Sequence, residues 1–211
     1  MLRALQSKGI RVGKARVQRT MKLHGIRAKG KKKFVVTSDS EHALPIATNL
    51  LNREFTVDQP NTVWTSDLFY PATYIPTDEG WLYLVAVIDL FSRKVVGWSM
   101  LRPKRTHMQA SMVTDALRMA WFNRRPPPGL VFHSGRGSQY CRREFQAESL
   151  WGRLKVARIH GQKFATQRAA MDEVMDWLMF YHHRRLHCTL GYVSPMRFEE
   201  NWRTAQSKHA A

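Results

Sequence analysis

The chain has 211 residues, 44 % of them hydrophobic, 11 % aromatic and 24 % charged, which is globular composition and excludes a wholly disordered or fibrous chain. Lys and Arg number 34 against 16 Asp and Glu, for a net charge of +18, and so large an excess points to a polyanionic partner, nucleic acid being the usual one. Two cysteines, Cys141 and Cys188, form neither a CxxC pair nor a ligand series, which argues against a disulfide framework or a structural zinc and for a reducing cytosol.

The charge is unevenly spread. Residues 1–33 hold twelve Lys or Arg and no acid, the first acid being Asp39, whereas the remainder carries 22 basic and 16 acidic side chains. The length fits one sizeable domain behind a small basic one. No apolar run reaches membrane-spanning length, and the N-terminus lacks a signal-peptide core. A cytoplasmic, nucleoid-associated location is the expectation.

In chain order, residues 2–8 read as a short helix stopped by Gly9. After a turn, KARVQRTMKLH reads as a second helix with Val17, Met21 and His24 on one stripe and Gly25 as its left-handed cap. Short helix, turn and basic helix suggest a helix-turn-helix over residues 1–30, with Lys14, Arg16, Arg19 and Lys22 facing phosphates. A basic amphipathic arm without groove specificity is the other reading. Residues 31–54 read as a linker.

The core, residues 55–205, opens with TVWTSDLF, an apolar run enclosing Asp67. WLYLVAVIDL (81–90) is the pattern of a strand buried on both faces, and VVGWSM (95–100) returns as its hairpin partner. Thr106 and Gln109 have capping-box spacing before a helix to about 122, which Pro126–Pro128 and Gly129 stop. LVFH (130–133) reads as a strand, then 139–157 and 166–183 as helices, with Met171, Val174, Leu178 and Tyr181 on one face. This order is α/β, a central sheet covered by helices.

Asp67 demands a reason, because an acid inside an apolar strand is costly unless paired or metal-bound. WTSD, TDEGWLYLVAVIDLFSRKVVGWSM, HSGRGSQY, ESLWGRLK and YHHRRLHCTLGYVSPMRFE resemble, in order and over about residues 9–203, the catalytic frame of the "insertion sequence three" family of transposases. The resemblance implies a retroviral-integrase-like, ribonuclease-H-like mixed sheet flanked by helices, preceded by a helix-turn-helix of which only the back is present. It implies DNA transposition: cleavage and joining of DNA ends by an acid triad holding Mg²⁺ or Mn²⁺, with transposon ends and target DNA as partners and self-association on DNA. Two such ions activate the attacking oxygen and stabilise the leaving one, and hard cations require carboxylate oxygens. By motif Asp67 matches the first acid and Glu148 the last. Lys155 lies seven residues on, two helical turns along the same face, and matches the basic residue set there to hold a DNA phosphate.

Three departures stand beside these matches. The middle acid position is Gly135, in His133-Ser134-Gly135-Arg136-Gly137. The spacing from 135 to 148 falls well short of the family's, so a segment near 147/148 is missing, and with it the fifth strand. FYPATYIPT looks longer than the family's connection. The expectation is a degenerate copy, catalytically impaired; a sequence-tolerant DNA-binding remnant and a ribonuclease-H-like nuclease are the alternatives. Among other acids, Asp115 reads as a solvated helix residue, Asp89 as a turn residue, and Glu144 comes from the wrong element to replace a strand-end acid. In HHRRLHC, His183 and His187 have i,i+4 spacing, but flanking arginines favour a basic helix end facing DNA or solvent over a metal site. The seven tryptophans read as packing residues.

Overall fold

A computed structural model of the chain describes residues 1–27, 56–66, 74–101, 108–134, 150 and 152–209. Two helices come first, α1 (Leu2–Gln6) and α2 (Lys14–Leu23). Gly9 (φ 77°) sits in the turn between them, and Gly25 (φ 63°) follows α2, both in the left-handed region that glycine enters without steric cost. Residues 31–54, read as a linker, lie outside the described residues.

Five strands form one mixed sheet: β1 (Val63–Ser66), β2 (Tyr74–Thr77), β3 (Gly80–Asp89), β4 (Val95–Leu101) and β5 (Val131–Ser134). β3 is the axis. One edge pairs antiparallel with β4 over Tyr83–Ile88, and its other edge serves β2 at Gly80–Tyr83 and β1 at Val87–Asp89. β5 pairs parallel to β1, and among the described residues it has no strand on its outer edge. The mixed sheet, with a strand at 131–134, is as expected. β2 is not: Tyr74–Thr77, the end of the segment read as a long connection, forms a hairpin arm closed by Asp78 and Glu79. Its Pro76 is tolerated because β2 lies at the margin of the sheet, where among the described residues β3 is its one ladder partner and a single bridge joins Thr77 to Phe164.

The unbroken apolar run of β3 is explained by its two faces. Leu82, Leu84, Ala86 and Ile88 point into a core with Leu150, Leu154, Ala170, Val174 and Trp177. Val85 and Val87 point the other way, against Met112, Ala116 and Ala120 of α3 (Met108–Arg124). On the first face, residues 152–154 are α-helical and continue as a π-helix over Lys155–Ile159. Helix α4 (Gln167–His183) begins at Thr166, whose hydroxyl accepts from Ala169 N at 3.1 Å. Val174, Leu178 and Tyr181 are buried and Met171 packs on the same core, as their spacing predicts.

The last helix, α5 (Pro195–His209), starts with proline in its first turn behind Ser194, whose Oγ accepts from Arg197 N. It lies against the β3–β4 turn, where Phe91 meets Phe198 and Trp202 with ring centroids 5.1 and 5.6 Å away. Among the tryptophans, Trp64 and Trp177 are buried as expected, but Trp81 and Trp121 are half exposed, so packing accounts for only part of the set. No helix among the described residues is long and apolar enough to cross a membrane.

Candidate functional site

β1 and β5 run side by side in parallel with Val63 opposite Val131 and Ser66 opposite Ser134. Both strands end on that last pair, and the next residues in the chain are Asp67 and Gly135. Asp67, Gly135, Glu148 and Glu144 themselves lie outside the described residues, as does Thr106. Ser66 is almost fully buried, and among the described residues its hydroxyl has no hydrogen-bond partner.

Lys155 opens the π-helix that follows the Glu148 segment. It is half-buried, and burial lowers its ammonium below the usual lysine range. π-turns inside helices often accompany functional positions, because the extra residue re-aims the side chains around it. Lys14, Arg16, Arg19 and Lys22 are all exposed on α2, whose one buried residue is Val17. The helix therefore presents its charges outward, as an electrostatic DNA surface requires.

The turn at the end of β3 carries more than expected. Asp89 is a turn residue, as read: its carboxylate accepts from Phe91 N at 2.8 Å and Ser92 N at 3.4 Å. It is also completely buried, accepts from Asn61 N at 2.8 Å, and meets Arg124 Nη2 at 3.4 Å. Arg124 Nη1 donates to Glu199 Oε1 at 2.6 Å and its Nε to Asn61 Oδ1 at 2.8 Å. Lys94 and Arg203 also reach Glu199. Burial pushes the Glu199 carboxyl up, but the hydrogen bond and charge of Arg124, with Lys94 and Arg203, outweigh it and leave it below the usual range. Asp115, by contrast, is exposed beside Arg118, as predicted.

The histidine-rich end of α4 departs from its reading. The helix stops at His183, and His187 has extended backbone, so the two do not share a helical face. His182 turns inward, its Nε2 accepting from Val95 N at 3.1 Å, and its pKa falls to about 4 through burial, then the charges of Lys94 and His183. His187 packs edge-on against Tyr181 at 4.9 Å and also falls to about 4, through burial, then Arg153 and Arg93. The helix end is thus divided, His182 and His187 packing inward while His183 and Arg184 stay exposed. Among the described residues no group of three or more His, Cys, Asp or Glu is placed to hold a metal ion.

The integrase core domain family matches residues 57–163, and a second integrase core domain family matches residues 148–202. The chain is similar to the insertion element IS600 uncharacterized 31 kDa protein of Shigella sonnei, with 35 % identity covering 94 % of this chain and 79 % of that protein. It is also 35 % identical to transposase InsF for insertion sequence IS3A of Escherichia coli strain K12, covering 92 % of this chain and 73 % of InsF. InsF for insertion sequence IS3 of Escherichia coli O111:H- gives the same figures, 35 %, 92 % and 73 %. The IS600 alignment spans 222 residues, whereas 94 % of this 211-residue chain is about 198, so about two dozen aligned positions have no residue of this chain.

Proposed function

The chain belongs to the IS3 family of insertion-sequence transposases, built on the integrase core domain, and from that premise we propose that it is a degenerate copy that holds DNA without cutting it. The family acts in DNA transposition and integration. Its reaction is an in-line displacement at phosphorus, in which divalent metal ions held by three carboxylates supply a polarised nucleophile and a stabilised leaving oxygen.

The donor set of this chain does not fit that clamp. β1 and β5 end side by side on Ser66 and Ser134, and this supports reading the next residues, Asp67 and Gly135, as the first and second acid positions. Glycine has no side-chain oxygen to offer a hard cation. Asp67 and Glu148 are the remaining candidates for a Mg²⁺ or Mn²⁺ ion, and two carboxylates are one short of the triad.

The missing segment tells in the same direction. About two dozen aligned positions are empty, and the second family match begins at residue 148, the place where the motif spacing contracts. A junction there alters the approach to the helix that bears Glu148. A misplacement of about 1 Å at a reacting centre costs about a hundredfold in rate.

DNA retention rests on charge. Lys14, Arg16, Arg19 and Lys22 lie exposed on α2, with Lys155 on the core as a further phosphate contact. A nucleoid-associated location, with self-association on the DNA, follows from that binding. The observation that carries the reading is Gly135 at the middle acid position. The test is nicking of supercoiled plasmid with Mg²⁺ or Mn²⁺, beside an Asp67→Ala control. The expected result is a gel shift without Asp67-dependent nicking; metal-dependent nicking abolished by Asp67→Ala overturns the reading.

A further inference from the structure

Where β3 turns into β4, several cationic side chains gather around one tyrosine. Tyr181, near the end of α4, donates its hydroxyl to the carbonyl of Arg93 at 2.8 Å. The Arg185 guanidinium carbon lies 5.9 Å from the centre of the same ring, and the His187 ring stands edge-on to it at 4.9 Å. Arg153, on the helix that runs into Lys155, acts on both Tyr181 and His187, and so does Arg93. Arg93 and Arg185 thus meet at one ring from separate elements, with the exposed Arg153 adding its charge from a third.

Polar atoms in this cluster are left over. Arg93 Nε and Nη1, Arg185 Nε and His187 Nε2 are buried without a hydrogen-bond partner among the described residues. None of the three arginines meets a carboxylate at ion-pair distance among those residues. The charge of Asp89 reaches Arg93, but its oxygens already serve Asn61, Phe91, Ser92 and Arg124. Proteins leave few buried donors unmade, and the three guanidinium N–H groups of Arg93 and Arg185 in one cluster mark a missing acceptor. Water can satisfy single donors, yet it leaves the concentrated positive charge in place. A tetrahedral oxyanion meets both needs, since guanidinium forks match phosphate oxygens.

We propose that Arg93, Arg185 and His187, with Arg153 beside them, form a phosphate-binding pocket on the core, distinct from the basic N-terminal helices, that takes a phosphodiester of bound DNA. The identity of the ligand as DNA rests on the function proposed above; the affinity for phosphate does not. The titration of His187 fits the pocket: burial and two neighbouring arginines hold it at about 4, and a bound anion reverses the second of these.

The test uses the full chain in three measurements. Inorganic phosphate, against chloride at equal ionic strength, raises the thermal midpoint; Arg93→Gln with Arg185→Gln removes most of that rise, while Arg16→Gln with Arg19→Gln leaves it. Phosphate also raises the NMR-titrated pKa of His187 in the unmodified chain by about one unit, a readout that needs no variant to fold. With duplex DNA, the Arg93→Gln, Arg185→Gln chain loses about 0.9 from the slope of log K against log salt, the value for one phosphate contact. No midpoint rise and no His187 shift in the unmodified chain overturns the pocket, as does a rise that survives the paired substitution. A phosphate response with an unchanged DNA slope overturns its assignment to DNA and leaves the fate of the catalytic reading untouched.

Discussion

Arg124, at the end of α3, holds Glu199 of α5 at 2.6 Å while its other nitrogen faces Asp89 at 3.4 Å. Side chains 35 and 75 residues away from Arg124 in sequence are thus closed into one buried cluster. Removing one partner of a buried pair strands the other charge and costs about 3–5 kcal/mol. Glu199→Gln is therefore expected to lower the urea midpoint with an unchanged m-value. An unaltered midpoint sinks the idea that this cluster anchors α5. The depressed carboxyl of Glu199 gives the same contact a pH signature. Its contribution is present above the ordinary carboxylate pKa of 4.5 and fades as pH falls through the lower folded value.

Histidines set a second, higher acid limit. His182 and His187 titrate near 6.5 when unfolded and at about 4 in the fold, because burial disfavours their charged forms. The unfolded chain then binds more protons between those values, so stability is full above about pH 6.5 and declines as pH falls toward 4. A thermal midpoint that drops between pH 7 and 5, with a flatter profile for His182→Gln with His187→Gln, is the expected outcome. Parallel profiles for the two chains would count against the assignment.

Gly97 is a third point of strain in waiting. It lies in mid-β4, where a Cβ would come within 2.1 Å of Ala116 O and 2.6 Å of Ala120 N on α3. These are backbone atoms that cannot swing aside. Overpacking of a dense core costs about 1–3 kcal/mol and occasionally more, and Gly97→Ala belongs at the upper end. Equilibrium unfolding measures it; a loss under about 0.5 kcal/mol, the range of ordinary surface changes, would show that α3 can move off the sheet.

How far the sequence reveals this molecule depends on the range of each signal. Continuous apolar runs disclosed β3 and β4, and helical spacing with caps and stops disclosed α3 and α4, because each buries its own local pattern. β2 escaped, since Pro76 argues against a central strand and its partner β3 is not named by any local pattern. The glycine in VVGWSM carried a hint of close backbone approach that only the facing helix explains. Asp89, Arg124 and Glu199 are too far apart in sequence for any spacing rule to join them. The reading of Asp67, Gly135 and Glu148 rests on motif alone, and neither periodicity nor composition distinguishes Asp67 from a loop acid.

DNA affinity is expected to sit chiefly in residues 1–33, with twelve basic residues and no acid. Each neutralised phosphate releases counterions, so log K falls by about 0.9 per contact against log salt. A chain lacking residues 1–33 should bind duplex DNA more weakly and with a shallower slope. Unchanged affinity after the deletion, or a flat salt response of the full chain, refutes this.

The last expectation concerns Gly135. Gly135→Asp restores a carboxylate at the residue after Ser134, beside the strand that ends at Ser66. If the glycine were the whole defect, that change would complete the triad and recover metal-dependent cleavage. On the proposed reading the contraction before Glu148 argues otherwise, because a two-metal site needs its carboxylates held to within a fraction of an ångström and a shortened connection displaces the last of them. Gly135→Asp alone is therefore expected to leave plasmid nicking at the level of Asp67→Ala. Refilling the missing segment together with Gly135→Asp is expected to raise nicking above that level. Recovery by the single substitution would show that Glu148 already stands where the reaction needs it, and that the shortened chain keeps a working frame.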